Sequence, residues 1–124
     1  MRLLLDTHVL LWWATGASLS KPATEAIAAP ENEVFVSAAS IWEAEIKAAA
    51  GRLEIGLDLA AESVERGVTE LPIRFEHAVG AARLPPHHSD PFDRMLAAQA
   101  RLEGLTLVTR DPAFGPYGVD LIRA

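Results

Sequence analysis

The sequence predicts an α/β protein: a three-layer α/β/α sandwich built on a mainly parallel central sheet. Three observations carry that expectation. Short continuous apolar runs at Leu3 to Leu5, Val34 to Val36 and Leu105 to Thr109 have the length and the content of strands buried on both faces. Stretches with helical spacing lie between them, and strands that alternate with helices pair in parallel between helical layers. Turn and cap residues fall where the runs break.

The elements follow in order. Leu3 to Leu5 forms the first strand and stops at Asp6. Helical stretches near residues 8–14 and 22–29 come next, and the turn-like Pro30 to Glu33 leads into Val34 to Val36. The third helix, near 38–50, has Ser37 or Ser40 as its cap and Gly51 as its stop. A helix near 57–67 precedes a weaker strand at Thr69 to Leu71, and another helix lies near 75–83. Asp90 before Pro91 is a strong N-cap with proline in the first position, so a helix spans 91–103 and ends at Gly104. The run LTLVT is then the third clear strand, and Val119 to Ile122 is a weaker last one.

A chain of 124 residues fits one domain, residues 1–124, and is long enough to bury a real core. Half its residues are hydrophobic and 23% are charged, which describes a folded chain rather than a disordered one. The absence of cysteine excludes disulfides and thiolate metal sites and suits a reducing cytosol. Arg2, the apolar run and the small residues from Ala14 to Ala17 imitate a secretory signal, but Asp6 and His8 inside the run argue against export. No window reaches the ~18 apolar residues of a membrane span. The expectation is a soluble, cytoplasmic protein with no membrane partner. A net charge of −6 discourages a nucleic-acid partner at first sight, although a cluster of four metal-binding carboxylates would account for most of that excess.

In a parallel α/β sheet the helix N-termini lie on the same edge as the strand C-termini, and ligands bind there. Asp6 follows the first strand, and Asp111 follows LTLVT after one intervening residue. Glu43 lies early in the helix after VFV, and Asp93 lies in the first turn of the helix before LTLVT. Each acid also has a structural explanation. Asp6 suits a helix cap, Asp111 before Pro112 suits a turn, Ser40 and Glu43 spell a capping box, and Asp90 with Asp93 imitates one. Four acids from separate segments at one edge would repel one another unless a cation lay between them. Oxygen ligands without cysteine select a hard ion, Mg²⁺ or Mn²⁺, of the kind that serves phosphodiester hydrolysis. The helical wheel does not choose Glu43: it lies roughly 60° from Ile46, while Glu45 lies roughly 60° from Trp42 on the other border of the apolar stripe.

Three stretches, LLLDTHVLLWW, VSAASIWEAEIKAAAGRL and HSDPFDRMLAAQARLEGLTLVTRDPAF, together resemble the PIN-domain ribonucleases, and specifically VapC-like toxins of bacterial toxin–antitoxin systems. The likeness covers essentially the whole chain. It implies an α/β/α fold, Mg²⁺- or Mn²⁺-dependent endoribonuclease activity, an RNA substrate, a VapB-like antitoxin partner and a homodimer. Carried over position by position, it puts the family's four acids on Asp6, Glu43, Asp93 and Asp111, which favours Glu43 over Glu45 and Asp93 over Asp90. Asp6, Glu43 and Asp93 are then expected to hold the principal ion, and Asp111 to complete the site.

Around these acids, Thr7 and Thr109 are candidates for bonds to a carboxylate, to bound water or to substrate, or for satisfaction by backbone. Lys47 and Arg110 suit either a surface ion pair or a substrate phosphate, and Asp90 is expected to cap its helix and pair with Arg94. His87 and His88 could be taken for a zinc site, but solvent exposure in a loop is the expected reading. His8 is a weaker candidate for substrate contact, and Trp12, Trp13 and Trp42 are expected in the core, with exposure of Trp12 or Trp13 pointing to a dimer or antitoxin surface.

Two other enzyme or signalling classes place an aspartate after the first strand. A haloacid-dehalogenase-type phosphatase usually needs a second acid two residues later, where this chain has His8, and a receiver-like domain wants paired acids that are absent before Asp6. The non-enzymatic alternative is a catalytically silent PIN-like module that binds RNA or a partner.

Overall fold

In the computed structural model, which describes residues 1–124, the run Arg2–Leu5 forms β1 at the centre of a five-stranded sheet. The others are β2 (Glu33–Ser37), β3 (Thr69–Leu71), β4 (Thr106–Thr109) and β5 (Leu121–Arg123), in the order β3-β2-β1-β4-β5. Every pairing is parallel, with Leu5 opposite Val36 on one side and Val108 on the other. The two weak strands of the sequence are the two edges, where one face of the hydrogen-bonding ladder is unpaired and a short run suffices. The last strand lies slightly later than the pattern suggested, because a 3-10 turn over Pro112–Tyr117 takes up the chain after β4.

Helices α1 (Thr7–Thr15), α2 (Lys21–Ala28), α3 (Ala38–Ala49), α4 (Leu59–Glu65), α5 (Phe75–Arg83) and α6 (Pro91–Glu103) complete the fold. Side chains alternate across a strand, so Leu3 and Leu5 join Val9, Leu10, Ala44 and Leu59 in one core layer. Leu4 points the other way, into a layer with Leu96, Ala97, Leu107 and Phe114. All three leucines of β1 are fully buried, each contributing roughly 1.5–3 kcal/mol. That clamp fixes where the next residue, Asp6, emerges.

The capping signals are used largely as written. Ser37 caps α3 by accepting from the Ala39 amide at 3.0 Å, and Asp90 caps α6 by accepting from Phe92 and Asp93 at 2.8 and 3.1 Å. Gly104 closes α6 in the left-handed conformation, φ 66°, which lets the chain reverse directly into β4. The Ser40–Glu43 capping box does not form, because the helix starts three residues earlier and Ser40 already lies within it. Arg94 does not pair with Asp90. Its guanidinium donates to the carbonyls of Ala81, Leu84, Pro85 and His88, pinning the loop between α5 and α6. No helix is long and apolar enough to cross a membrane.

Candidate metal centre

From β1 the sheet extends through β2 and β3 on one side and through β4 and β5 on the other. The crevice at the C-terminal ends of β1 and β4 is therefore the topological switch point, where two chain directions part and leave room for a ligand. Asp6 sits at that point. Its amide still belongs to the sheet, donating to the Val108 carbonyl at 3.1 Å, while its Oδ1 accepts from the Val9 amide at 2.8 Å. It thus caps α1 and faces the crevice at once, so the structural and functional explanations of this residue are compatible.

Thr109, at the end of β4, donates its hydroxyl to Asp6 Oδ2, and its oxygen accepts from the Asp111 amide at 3.0 Å. One buried hydroxyl thus sets the spacing between the first and last acids. Asp111 in turn caps the 3-10 turn, Oδ1 accepting from the Ala113 amide at 2.9 Å. Asp93 comes from the first turn of α6, and Glu43 from the buried side of α3. The structure brings all four acids to the same edge.

Burial separates the two glutamates that the helical wheel left level. Glu43 is 4% exposed, whereas Glu45 is exposed beside Trp42. Residues Ala39, Ser40 and Ala44 form the buried face of α3, leaving Trp42 and Ile46 60% and 39% exposed. The large apolar residues that marked the stripe in the sequence are outside it. Glu43 Oε2 accepts from Lys47 at 2.8 Å, so Lys47 makes the ion pair rather than standing free. Glu43 Oε1 is buried with no hydrogen-bond partner, a costly state for a carboxylate oxygen unless something electropositive is supplied.

Electrostatics at the edge reflect crowded negative charge. Burial, reinforced by the charges of Asp90, Glu43 and Asp6 and opposed by His88, pushes the Asp93 carboxyl up to about 7. Burial also raises Asp6, outweighing the hydrogen bonds from Thr109 and Val9. Asp111 goes the other way. Burial works against its ionisation, but the Ala113 amide and the bond and charge of His88 together hold it below the usual carboxylate range.

His88 belongs to this cluster, contrary to the solvent-exposed reading of the loop. Its Nε2 is 3.0 Å from Asp93 Oδ2 and 3.0 Å from Asp111 Oδ2. The sequence offered only a weak signal, a histidine two residues before a helix cap, and adjacency to the exposed His87 disguised it. Thr7 and Thr109 are both buried with committed hydroxyls, Thr7 donating to Ser40 at 3.1 Å, so neither reaches a substrate. Arg110 remains on the rim, its guanidinium 4.1 Å over the Trp12 ring and bonded to the Ser18 carbonyl. Together with His8, Trp12 and the two acids Asp6 and Asp111, it lines an open hollow of about 340 Å³. Trp12 and Trp13 are half-buried under Arg110 and Arg66, but Trp42 lies on the surface against Phe92, outside the core expected for it. A more apolar hollow of about 360 Å³ between α3 and α4 contains none of the four acids.

The donor set fits a hard divalent cation: oxygen ligands only from the four acids, one of them an orphaned buried oxygen, and an open approach from solvent. Comparisons with known proteins agree with this architecture. The PIN domain family model matches residues 3–118. Ribonuclease VapC22 of Mycobacterium tuberculosis is 33% identical over 112 residues, covering 87% of this chain and 85% of that protein. Among solved structures, VapBC2 from Rickettsia felis bound to a promoter DNA fragment superposes with a TM-score of 0.73 at 14% identity, covering 98% of each chain. FitAcB from Neisseria gonorrhoeae gives 0.66 at 22%, covering 98% of this chain and 96% of that one. VapBC-5 from Mycobacterium tuberculosis gives 0.63 at 20%, covering 99% and 98%.

Proposed function

The chain belongs to the PIN-domain family, and we propose that it is a metal-dependent endoribonuclease acting as the toxin of a toxin–antitoxin pair. The observation that carries the chemistry is the convergence of Asp6, Glu43, Asp93 and Asp111 at the switch point, with Glu43 Oε1 buried and unpartnered. The ribonuclease name of its relative from Mycobacterium tuberculosis supports RNA as the substrate. The toxin–antitoxin complexes among its structural neighbours support a VapB-like partner, and the homodimer rests on the sequence resemblance alone. An RNA target supports the cytoplasmic location expected from the sequence.

Asp6, Glu43 and Asp93 would hold Mg²⁺ or Mn²⁺, with Asp111 completing the site. The bound ion supplies Lewis-acid activation of water and charge stabilisation at phosphorus. The protein's own contribution is positional. Thr109 orients Asp6, the Ala113 amide orients Asp111, and Lys47 keeps one Glu43 oxygen turned aside. Arg110, on the rim of the hollow, faces the side from which an RNA backbone arrives and is suited to a phosphate contact.

The test is incubation of antitoxin-free protein with total cellular RNA and Mg²⁺ or Mn²⁺, with EDTA, Asp6→Asn and Asp93→Asn controls and sequencing of new ends. Cleavage by the wild type that disappears in all three controls is expected. Cleavage surviving both substitutions would refute the site. RNA binding without cleavage under any metal would instead identify a silent binding module.

A further inference from the structure

We propose that His88 is a positioning residue of the metal centre, a fixed hydrogen-bond donor that orients Asp93 and Asp111 without itself ligating the ion. The inference rests on the metal reading above and adds a residue to it.

The geometry assigns the tautomer. The Asp90 amide donates to His88 Nδ1 at 3.2 Å, so Nδ1 carries its lone pair and the ring proton resides on Nε2. That N–H is directed at Asp111 Oδ2 at 3.0 Å, and Asp93 Oδ2 lies 3.0 Å from the same nitrogen. Ligation through Nε2 would need the proton on Nδ1, where it would meet the Asp90 N–H head on. Although His88, Asp93 and Asp111 present atoms within 4.8 Å of one another, spacing compatible with an ion, His88 therefore acts there as a donor.

The residue is held from all sides. Its amide donates to the Tyr117 hydroxyl at 2.8 Å, its carbonyl accepts from Arg94 at 3.2 Å, and its ring leans on the fully buried Phe114. A loop histidine needs no such anchoring unless its direction matters. Its Nε2, bonded to Asp111 and in contact with Asp93, ties two acids from different elements, α6 and the turn after β4, together before any ion arrives. Hydrogen-bonded partners of ligating carboxylates commonly have this role.

The experiment measures Mn²⁺ binding by EPR of the free aquo ion, using the intact chain and its His88→Ala, His88→Gln and His87→Ala variants. The expected result is an affinity loss of about 10–100-fold in His88→Ala. His88→Gln, whose amide Nε2–H reaches a similar position, restores most of it, and the exposed His87→Ala changes nothing. Pulsed EPR of the wild-type complex shows no nitrogen bound directly to manganese. Unchanged or tighter binding by a cooperatively melting His88→Ala variant would overturn the proposal, as would a His88→Gln variant no better than alanine. Direct manganese–nitrogen coupling that vanishes in His88→Ala would make the residue a ligand and overturn it too. Failure of the wild type itself to bind Mn²⁺ would overturn the metal reading and, with it, this assignment.

Discussion

The two ends of α6 carry the same chemical parts arranged to opposite effect. At its C-terminal end, by the start of β1, the fully buried His77 accepts from the Arg74 amide through Nδ1 at 3.0 Å and donates through Nε2 to Glu103 at 2.8 Å. At its N-terminal end, His88 uses the same two nitrogens in the same way, but its Nε2 faces two carboxylates instead of one. Near His77 there are two acids, but each has a partner: Glu103 meets His77, and Glu76 pairs with Arg74 at 3.5 Å. Near His88, acids outnumber donors, and a buried oxygen of Glu43 has no partner at all. A histidine–carboxylate cluster is thus no sign of a metal site by itself. The surplus of acid over donor is what distinguishes the two.

That contrast can be broken or sharpened by mutation. The largest effect expected is on cleavage: Asp6→Asn or Asp93→Asn lowers it by about a hundredfold or more, since even outer partners of metal ligands typically matter by 10–100-fold. Glu103→Gln, at the balanced end, leaves the rate of the folded protein unchanged in the same RNA assay. Stability shows the reverse order. His77→Ala leaves the Arg74 amide and Glu103 without their partner and opens a cavity, costing roughly 2–4 kcal/mol by thermal or urea unfolding. Asp93→Asn removes a crowded charge and raises the melting temperature of the metal-free protein at pH 7.

The pH dependence sharpens the comparison further. Asp93 binds its proton up to about pH 7 in the folded state and only to the ordinary carboxylate range when unfolded. The stability it contributes is therefore full below pH 4 and declines as pH rises toward 7, and Asp93→Asn should flatten that decline. Metal must displace the same proton, so Mn²⁺ affinity rises by up to about tenfold per pH unit below 7, measurable by calorimetry across buffers. The smallest effect is expected at the rim. Arg110→Ala weakens RNA binding modestly and lowers the salt dependence of binding by about one unit in log–log slope, if it meets a single phosphate.

Much of this was legible in the sequence because it follows from local rules. Apolar runs gave the three central strands, Asp90–Pro91 and Gly104 bounded α6, and the edge logic of parallel sheets gathered Asp6, Glu43, Asp93 and Asp111. Other features depend on tertiary context. Glu43 and Glu45 could not be separated by periodicity because α3 buries alanine and serine and leaves Trp42 and Ile46 outside. His88 was misread because its placement depends on Tyr117, Arg94 and Phe114, distant in sequence and unremarkable in pattern. Thr109 was visible only as a strand end, and its link to Asp6 spans 103 positions.

That long span has a consequence for biosynthesis. Asp6 leaves the ribosome early, but the hydroxyl that orients it, and the β4 strand that covers the open side of β1, follow 103 residues later. At ~5–20 residues per second, the delay is about 5–20 s. Glu43 and Asp93 join the nascent chain within that interval, but Thr109 and Asp111 come last, so the cluster stays incomplete until β4 has been made. Strand order therefore makes the geometry of the first acid depend on a segment translated long after it.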